Sequence, residues 1–476
     1  MSRSSIEDTL AAIGYVKVIA KLNDTQAAAA MAPHIEDNIA NYFMVPDEAQ
    51  AESLALVARR SAGRKLKRPG DVGVRRVRIY RHLGLAVGYI NSGGLASLEA
   101  DPQVGKIDKA PELSLIRPVV AEPGRLGTGP TWGIKRLKAD RLWNAGFTGK
   151  GVLVGHLDTG VDGTHPALNG AIAKFAEFDM AGDQVPGAQP RDSDEHGTHT
   201  AGTIAGRAVS RGRFGVAPEA QLASAMVIEG GQVVDRILAG MDWVIGEGVR
   251  ILSMSLGLRG FTPAFQTVVD SLRAANVLPV FAVGNEGPNT SRSPGNYANV
   301  LSVGAMDSDD QVADFSSSQR FNRPINPLCP ALVAPGVDIL SCVPGAKYKT
   351  MDGSSMATPH VAGLAALLLQ AQPTATAAQI ESAIVGSCTR PASMPEPRAN
   401  LGVPDAVRAF QLLTGTQLPA GLTVGTTPRR AVPKRSVGRQ APRRVVAHRA
   451  KKAARRPKVA ASGGSKRKAA RKSRKG

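Results

Sequence analysis

Apolar positions along the chain change regime twice. From about residue 12 to about 115 they come in short alternating or clustered runs. YVKVIAKL and VRRVRIYRHLGLAVGYI read as strands, GGLASLEADP as a short helix stopped by Pro102, and VGKIDKA as a final edge strand. This predicts a small α+β unit. Its middle, roughly residues 45 to 75, is charged and irregular and yields no element. From Trp132 to about residue 412, continuous apolar runs alternate with amphipathic stretches. The runs are GVLVGHLD, QLASAMVI, VRILSMSLG, VLPVFAVGNE and NVLSVGAMD, and QVVDRILAGMDWVIGEG is a helical stretch between two of them. Buried strands alternating with helices predict an α/β unit: a mostly parallel sheet with helices on both faces. Between the two units, RPVVAEPGRLGTGPT is rich in Pro and Gly and reads as an exposed linker. The expected domains are therefore 1–115, a linker 116–131, 132–412 and a tail 413–476.

Composition alters this picture in one place. The 476 residues are 43% hydrophobic, enough for a sizeable core, yet the formal charge is +20. Residues 426–476 hold twenty Lys or Arg and no Asp or Glu, which leaves 39 basic against 39 acidic residues in the body. The body is neutral, and the tail, unable to bury a core, is expected to be disordered. Its charge fits nonspecific nucleic acid or an anionic surface, bound by phosphate neutralisation that weakens with salt. It equally fits a solvated polycation with no dedicated partner. The tail has no aromatic residue on which bases would stack.

The three cysteines, Cys329, Cys342 and Cys388, are too few for a disulfide framework and leave room for one bridge, Cys329 to Cys342. No apolar run reaches the length of a membrane span. The start, MSRSSIEDTLAAIGYVKVIAKLND, lacks a compact apolar stretch followed by a small-residue cleavage site. It is read as carrying no secretory signal, so the expected location is cytoplasmic or reached by a non-standard route.

In open α/β sheets the reactive crevice lies beyond the carboxyl ends of the strands. Polar residues ending the apolar runs there are Asp158 in GVLVGHLDTG and Asn285 in VLPVFAVGNEG. His196 in DSDEHGTHTAGTIAG and a serine in DGSSMATPHVAG each stand where a loop enters a helix. A serine hydroxyl is a weak nucleophile alone. It needs an imidazole to take its proton, a carboxylate to hold that imidazole, and donors for the oxyanion. Asp158, His196, Ser355 and Asn285 fill those four roles. Each has a plainer reading in isolation. Asp158 would be a strand-end carboxylate, and Asn285 a turn residue. His196 and His199 would be a metal pair, although the zinc-helix pattern wants a Glu beside the first His and four-residue spacing. His156, His165, His199 and His360 read as structural.

LDTGVDGTHPAL, HGTHTAGTIAG, SMSLG, GNEG and GSSMATPHVAG stand in the order Asp, His, Ser, and the chain resembles the subtilase family of serine proteases. The resemblance spans Trp132 to about Ala371. It implies a subtilisin-like fold and a serine endopeptidase acting on polypeptides, with Asp158, His196 and Ser355 as triad. Ser354 then fills the small-hydroxyl position before the nucleophile. Asn285 and the Ser355 amide form the oxyanion hole. Ser255, Leu256 and Gly257 form an extended edge that pairs with substrate backbone, and Ala282, Val283 and Gly284 one wall of the specificity pocket. Leu258 stands where the family has a second glycine, and Arg292 falls near the pocket floor. Ala167 replaces the acidic residue of the family's tight calcium site, and GRAVSRGRFG replaces its Asn-rich loop, so that site is expected to be lost and no cofactor is expected. YRHLGLAVGYI and LEADPQVGKID resemble the subtilisin propeptide, a ferredoxin-like domain that plugs the cleft. That likeness implies a monomeric zymogen cleaving itself between about Leu113 and Thr131. The alternative is a nucleic-acid- or surface-binding protein acting through its tail, with the protease domain incidental or inactive.

Overall fold

The computed structural model describes residues 3–23, 38–44, 76–111, 113–229 and 233–418. The first unit comprises helix α1 (Arg3–Ile13), strands β1 (Val16–Leu22), β2 (Val77–Tyr80) and β3 (Leu85–Ile90), helix α2 (Ser92–Ala100) and strand β4 (Val104–Lys109). The strands lie in the order β2-β3-β1-β4, each pair antiparallel. Val18, Ala20 and Leu22 of β1 pack with Ile6 and Leu10 of α1 and Leu95 and Leu98 of α2. Ile19, with Leu85 and Val87 of β3, faces the other way and joins a core shared with the larger unit. Both faces of this sheet are buried, which is why its apolar residues cluster instead of strictly alternating. Helix α1 was not among the expected elements. The irregular stretch 45–75 and the tail from residue 419 lie outside the described residues.

Two short strands, β5 (Ser114–Leu115) and β6 (Val120–Pro123), lead into the larger unit. That unit adds β7 (Leu153–Asp158), β8 (Ile172–Glu177), β9 (Gln221–Met226), β10 (Ile251–Met254), β11 (Leu256–Arg259), β12 (Leu278–Ala282), β13 (Leu301–Met306), β14 (Leu332–Pro335), β15 (Ile339–Val343) and β16 (Lys347–Asp352). Seven of these form one parallel sheet in the order β14-β13-β12-β10-β7-β9-β8. Its longer helices are α3 (His196–Ala205), α4 (Val234–Gly246), α5 (Gln266–Ala274), α6 (Ser354–Ala371), α7 (Ala377–Ser387) and α8 (Ala406–Thr414). α3, α6, α7 and α8 pack on one face of the sheet, α4 and α5 on the other. α6 is buried from Ser354 to Leu369, as a helix without a polar face must be.

Five apolar runs became β7, β9, β10, β12 and β13, with β11 continuing the third run out of the sheet. The edge strands β8 and β14 were not anticipated. The linker reading needs correction in part. Val120–Pro123 is exposed, yet it pairs antiparallel with β16, from Val120↔Asp352 to Pro123↔Lys349. Pro123 lacks an N–H and sits at the end of this edge strand, where none is needed. The bridge Cys329–Cys342 does not form. Cys329, Cys342 and Cys388 are all free thiols, and Cys342 lies against the Thr198 carbonyl while Cys329 lies beside Ser302.

The first unit sits on α4 and α5. Asp235 forms an ion pair with Lys17, and its carbonyl accepts from Tyr80 Oη at 3.0 Å. Asp242 accepts from the Leu83 amide at 2.9 Å, and Lys21 Nζ donates to Ser271 Oγ at 2.8 Å. These polar anchors ring apolar contacts from Tyr80, Leu83 and Leu85. No helix among the described residues is long and apolar enough to cross a membrane.

Candidate active site

Asp158 is the last residue of β7, His196 the first of α3 and Ser355 the second of α6; Asn285 follows β12. Four segments distant in sequence therefore end at one edge of the sheet. Gly160 and Gly197 let the Asp158 turn meet the head of α3. Gly160 has φ of 115°, and a Cβ on Gly197 would stand 2.1 Å from Gly160 O. The Gly197 amide donates to Thr159 Oγ1 at 2.9 Å, closing the same junction.

His196 Nδ1 donates to Asp158 Oδ1 at 2.6 Å. Asp158 is 1% exposed, and its carboxylate also accepts from the Thr159 amide at 2.8 Å and from Thr200 Oγ1 at 3.1 Å. Burial alone would raise the Asp158 carboxyl, but the His196 charge and hydrogen bond, then His156 and the Thr159 amide, outweigh it and hold it below the ordinary value. For His196, burial pulls the imidazole down, and the Asp158 charge and hydrogen bond more than offset that, leaving it raised above 6.5. The other buried histidines go the opposite way through burial: His156 to about 4, His199 to about 3 and His360 to about 4. Each is tied to structure. His156 bonds Ser224 and Thr200, His199 the carbonyls of Ile339 and Lys349, and His360 the Met356 carbonyl. No group of three or more potential metal-ligating side chains occurs among the described residues. His196 Nε2 is buried with no hydrogen-bond partner. An orphaned buried nitrogen is costly, and here it is an acceptor left unused.

The cleft holds part of the same chain. β5 pairs antiparallel with β11, Leu115↔Leu256 and Ser114↔Gly257, and the Ile116 amide donates to Ser255 O at 3.0 Å. Ile116 is fully buried, and its carbonyl accepts from Ser355 Oγ at 2.6 Å. Asn285 Nδ2 donates to the next carbonyl, that of Arg117, at 2.9 Å, and Arg117 Nη1 reaches Asp194 at 3.0 Å. Past this point the Val119 amide donates to Asp352 O at 2.8 Å, and β6 continues along β16.

Two residues have partners that sequence reasoning did not foresee. The Ser354 amide and hydroxyl both donate to Asn285 Oδ1, at 2.9 and 2.8 Å, which fixes the side-chain amide with its nitrogen toward the cleft. The hydroxyl at this position was legible, but its partner was not. Arg292, expected near the pocket floor, is buried and paired with Glu286, and its amide donates to Val283 O at 2.9 Å. Leu258, in the place of the second glycine, pairs with Ser293 beside it.

Residues 149–409 match the family model described as the Subtilase family. The chain is 37% identical over 296 residues to the M-protease of Shouchella clausii, covering 62% of this chain and 71% of that protein. It is 39% identical over 261 residues to Subtilisin BL of Lederbergia lenta, covering 54% and 91%. It is 34% identical over 321 residues to Subtilisin E of Bacillus subtilis, covering 65% and 77%.

The residues around α3 offer few oxygen ligands. Ala167, in the acidic position, is buried, and residues 206–215 offer no carboxylate or amide side chain. The converging carbonyls nearby are already met. Arg207 Nη1 donates to the Ala205, Pro218 and Ala220 carbonyls at 3.0, 2.8 and 2.7 Å, and Nη2 to Gly170 O at 2.9 Å. A guanidinium thus joins the end of α3 to two neighbouring segments. Arg207→Ala, measured by denaturant unfolding in a Ser355→Ala background, is expected to lose about 3 kcal/mol as these acceptors go unmet. Added calcium is expected not to restore it; restoration would show that an ion takes this place.

Proposed function

The chain belongs to the subtilase family and is a serine endopeptidase, and on that premise we propose that it acts through Asp158, His196 and Ser355 and is made as a zymogen that cleaves its own Ile116–Arg117 bond. The observation that carries this reading is the placement of residues 114–117. They lie along β11 as an added strand, and the Ile116 carbonyl is 2.6 Å from the Ser355 hydroxyl oxygen. Ser114, Leu115 and Ile116 are then the third, second and first residues before the cleaved bond. Main-chain pairing supplies binding without strict demands on side chains.

In the proposed cycle, Ser355 Oγ attacks the peptide carbonyl carbon while His196 Nε2 takes its proton. The imidazolium passes that proton to the leaving amine, and water repeats the sequence on the acyl-enzyme. Asp158 holds Nδ1–H in place and stabilises the imidazolium. The oxyanion is held by the Ser355 amide at the head of α6 and by Asn285 Nδ2. Loss of one such donor costs about 100- to 1,000-fold in rate, a figure carried over from subtilisin itself. The bound segment rests one step before attack. The Ser355 hydroxyl donates to the Ile116 oxygen rather than to His196, and Asn285 holds the Arg117 carbonyl. Attack requires the hydroxyl to swing to the open Nε2 and the Ile116 oxygen to move onto Asn285.

The first unit is proposed to be the propeptide, inhibiting by filling the cleft until Ile116–Arg117 is cut and α4 and α5 release it. The α3 loop is proposed to work without calcium, Arg207 standing in for the ion. The tail from residue 426 is proposed to bind anionic surfaces or nucleic acid nonspecifically, apart from the chemistry. The alternative of a tail-driven binder rests on composition alone, whereas the catalytic reading has a bound strand and a buried carboxylate–imidazole pair behind it.

Intact mass of the purified protein tests the reading. Wild type is expected to yield a chain beginning at Arg117, Ser355→Ala to stay full length, and Ser354→Ala still to process. Processing blocked by Ser354→Ala but not by Ser355→Ala overturns the assignment. The pH profile is a second check. His196 must be neutral to accept a proton, and its pKa lies above 6.5. The kcat/KM of the processed enzyme is therefore expected to rise with pH through an inflection above that value and then level. A profile already level below it contradicts the role given to Asp158.

A further inference from the structure

We propose that Arg292 determines specificity by reading a hydroxyl on the third residue before the cleaved bond, so that the protease favours polypeptides with serine or threonine there. The inference rests on the reading of residues 114–117 as a chain held in substrate orientation. Arg292 lies in a short strand, Arg292–Ser293, paired antiparallel with β11. It is 6% exposed. A buried guanidinium is expensive unless its N–H groups are met and its charge is balanced. Glu286 balances the charge, accepting from Nε at 2.9 Å and also from Nη2. Nη1 donates to the Gly257 carbonyl at 3.2 Å. These partners belong to the cleft itself and remain when it empties.

The remaining contact of Nη1 is to the bound segment: it donates to Ser114 Oγ at 3.1 Å. Ser114 Oγ in turn donates to Gly257 O at 3.3 Å. The hydroxyl therefore sits between a fixed donor and a fixed acceptor, and a group that both gives and takes one hydrogen bond satisfies both. A methyl satisfies neither. A carboxylate offers no proton to the Gly257 carbonyl, and an ammonium offers no acceptor to Arg292. The subsite depends on glycine at 284, where a Cβ would stand 2.8 Å from Glu286 Oε2 and 3.2 Å from Arg292 Cγ. Arg259 Nε, 3.3 Å from Glu286 Oε1, leans on the same carboxylate from the exposed side. Glu286 thus offsets one of the two guanidinium charges, and Arg292 meets the bound residue through a hydrogen bond.

The test is a set of peptides identical except for Ser, Thr, Ala or Asp at that position, with kcat/KM measured on processed wild type, Arg292→Met and Glu286→Gln. Ratios between peptides do not depend on the fraction of enzyme that folds. Wild type is expected to favour Ser and Thr over Ala by about tenfold, the effect of one hydrogen bond to a charged donor. Arg292→Met is expected to bring the Ser to Ala ratio to about one. Glu286→Gln leaves the guanidinium charge unbalanced, and the Asp to Ser ratio is expected to rise by about fivefold at low salt and to fall back at high salt. Cleavage of all peptides with a wild-type Ser to Ala ratio near one overturns this proposal alone, as does a ratio unchanged by Arg292→Met. Cleavage of none overturns the catalytic reading and this proposal with it.

Discussion

A carboxylate buried to 1% exposure cannot stand alone in a protein interior, and the organisation of this molecule's cleft follows from how Asp158 is compensated. The carboxylate meets the His196 ring, the Thr159 amide and the Thr200 hydroxyl, all within hydrogen-bond reach. Each partner needs a particular backbone. The strand must end at residue 158, the chain must turn through Gly160, and α3 must begin at His196 with a glycine next, so that two main chains can touch. Meeting these demands leaves one imidazole nitrogen, Nε2, buried and unpaired. The cost of that orphan is borne by the well-packed sheet and helices around it, in keeping with strain stored at functional sites.

The cleft and the first unit make one continuous arrangement. Polar anchors from Lys17, Lys21, Tyr80 and Leu83 seat that unit on α4 and α5, and the chain leaving it runs as an extra strand on β11. Beyond Arg117 it continues as β6 on the edge of β16, the strand that leads directly into the Ser354–Ser355 pair. The Ile116–Arg117 bond, whose Ile116 carbonyl meets the Ser355 hydroxyl, is thus held from both sides by sheet pairing. Proximity of this kind removes most of the entropic cost of bringing the reacting groups together. It also keeps the segment in place, as a strand inhibitor would.

What the sequence disclosed and what it hid divide along physical lines. Fully buried parallel strands leave long apolar runs, so β7, β9, β10, β12 and β13 were readable, and with them Asp158 and Asn285 at or just past the strand ends. The edge strands β8 and β14 were not. β8, IAKFAE, is exposed at its middle and carries Lys174, while β14 is short and ends in Pro335. The Pro- and Gly-rich composition of the linker predicted exposure correctly but concealed β6, because edge pairing is made by backbone groups that side chains do not advertise. Of the four polar residues singled out by chemistry, Asp158 and His196 are hydrogen-bonded to each other, while Ser355 and Asn285 bond the adjacent carbonyls of Ile116 and Arg117. The partners of those residues were hidden. Nothing in the spacing of Ser354 from Asn285, or of Arg292 from Ser114, says that they touch. The cysteines were rightly read as no disulfide framework, and the one bridge left open is absent because Cys329 and Cys342 lie against different partners.

The central claim is that the buried Asp158–His196 pair makes Ser355, and no other serine, reactive. Labelling the processed enzyme with a serine-directed phosphonofluoridate and locating the adduct by peptide mass tests this without a substrate. The account predicts a single adduct on the peptide carrying Ser355, formed about ten-thousand-fold more slowly in Asp158→Asn, where the imidazole is held in the wrong tautomer. Labelling on a different serine, or at an undiminished rate in Asp158→Asn, would contradict it.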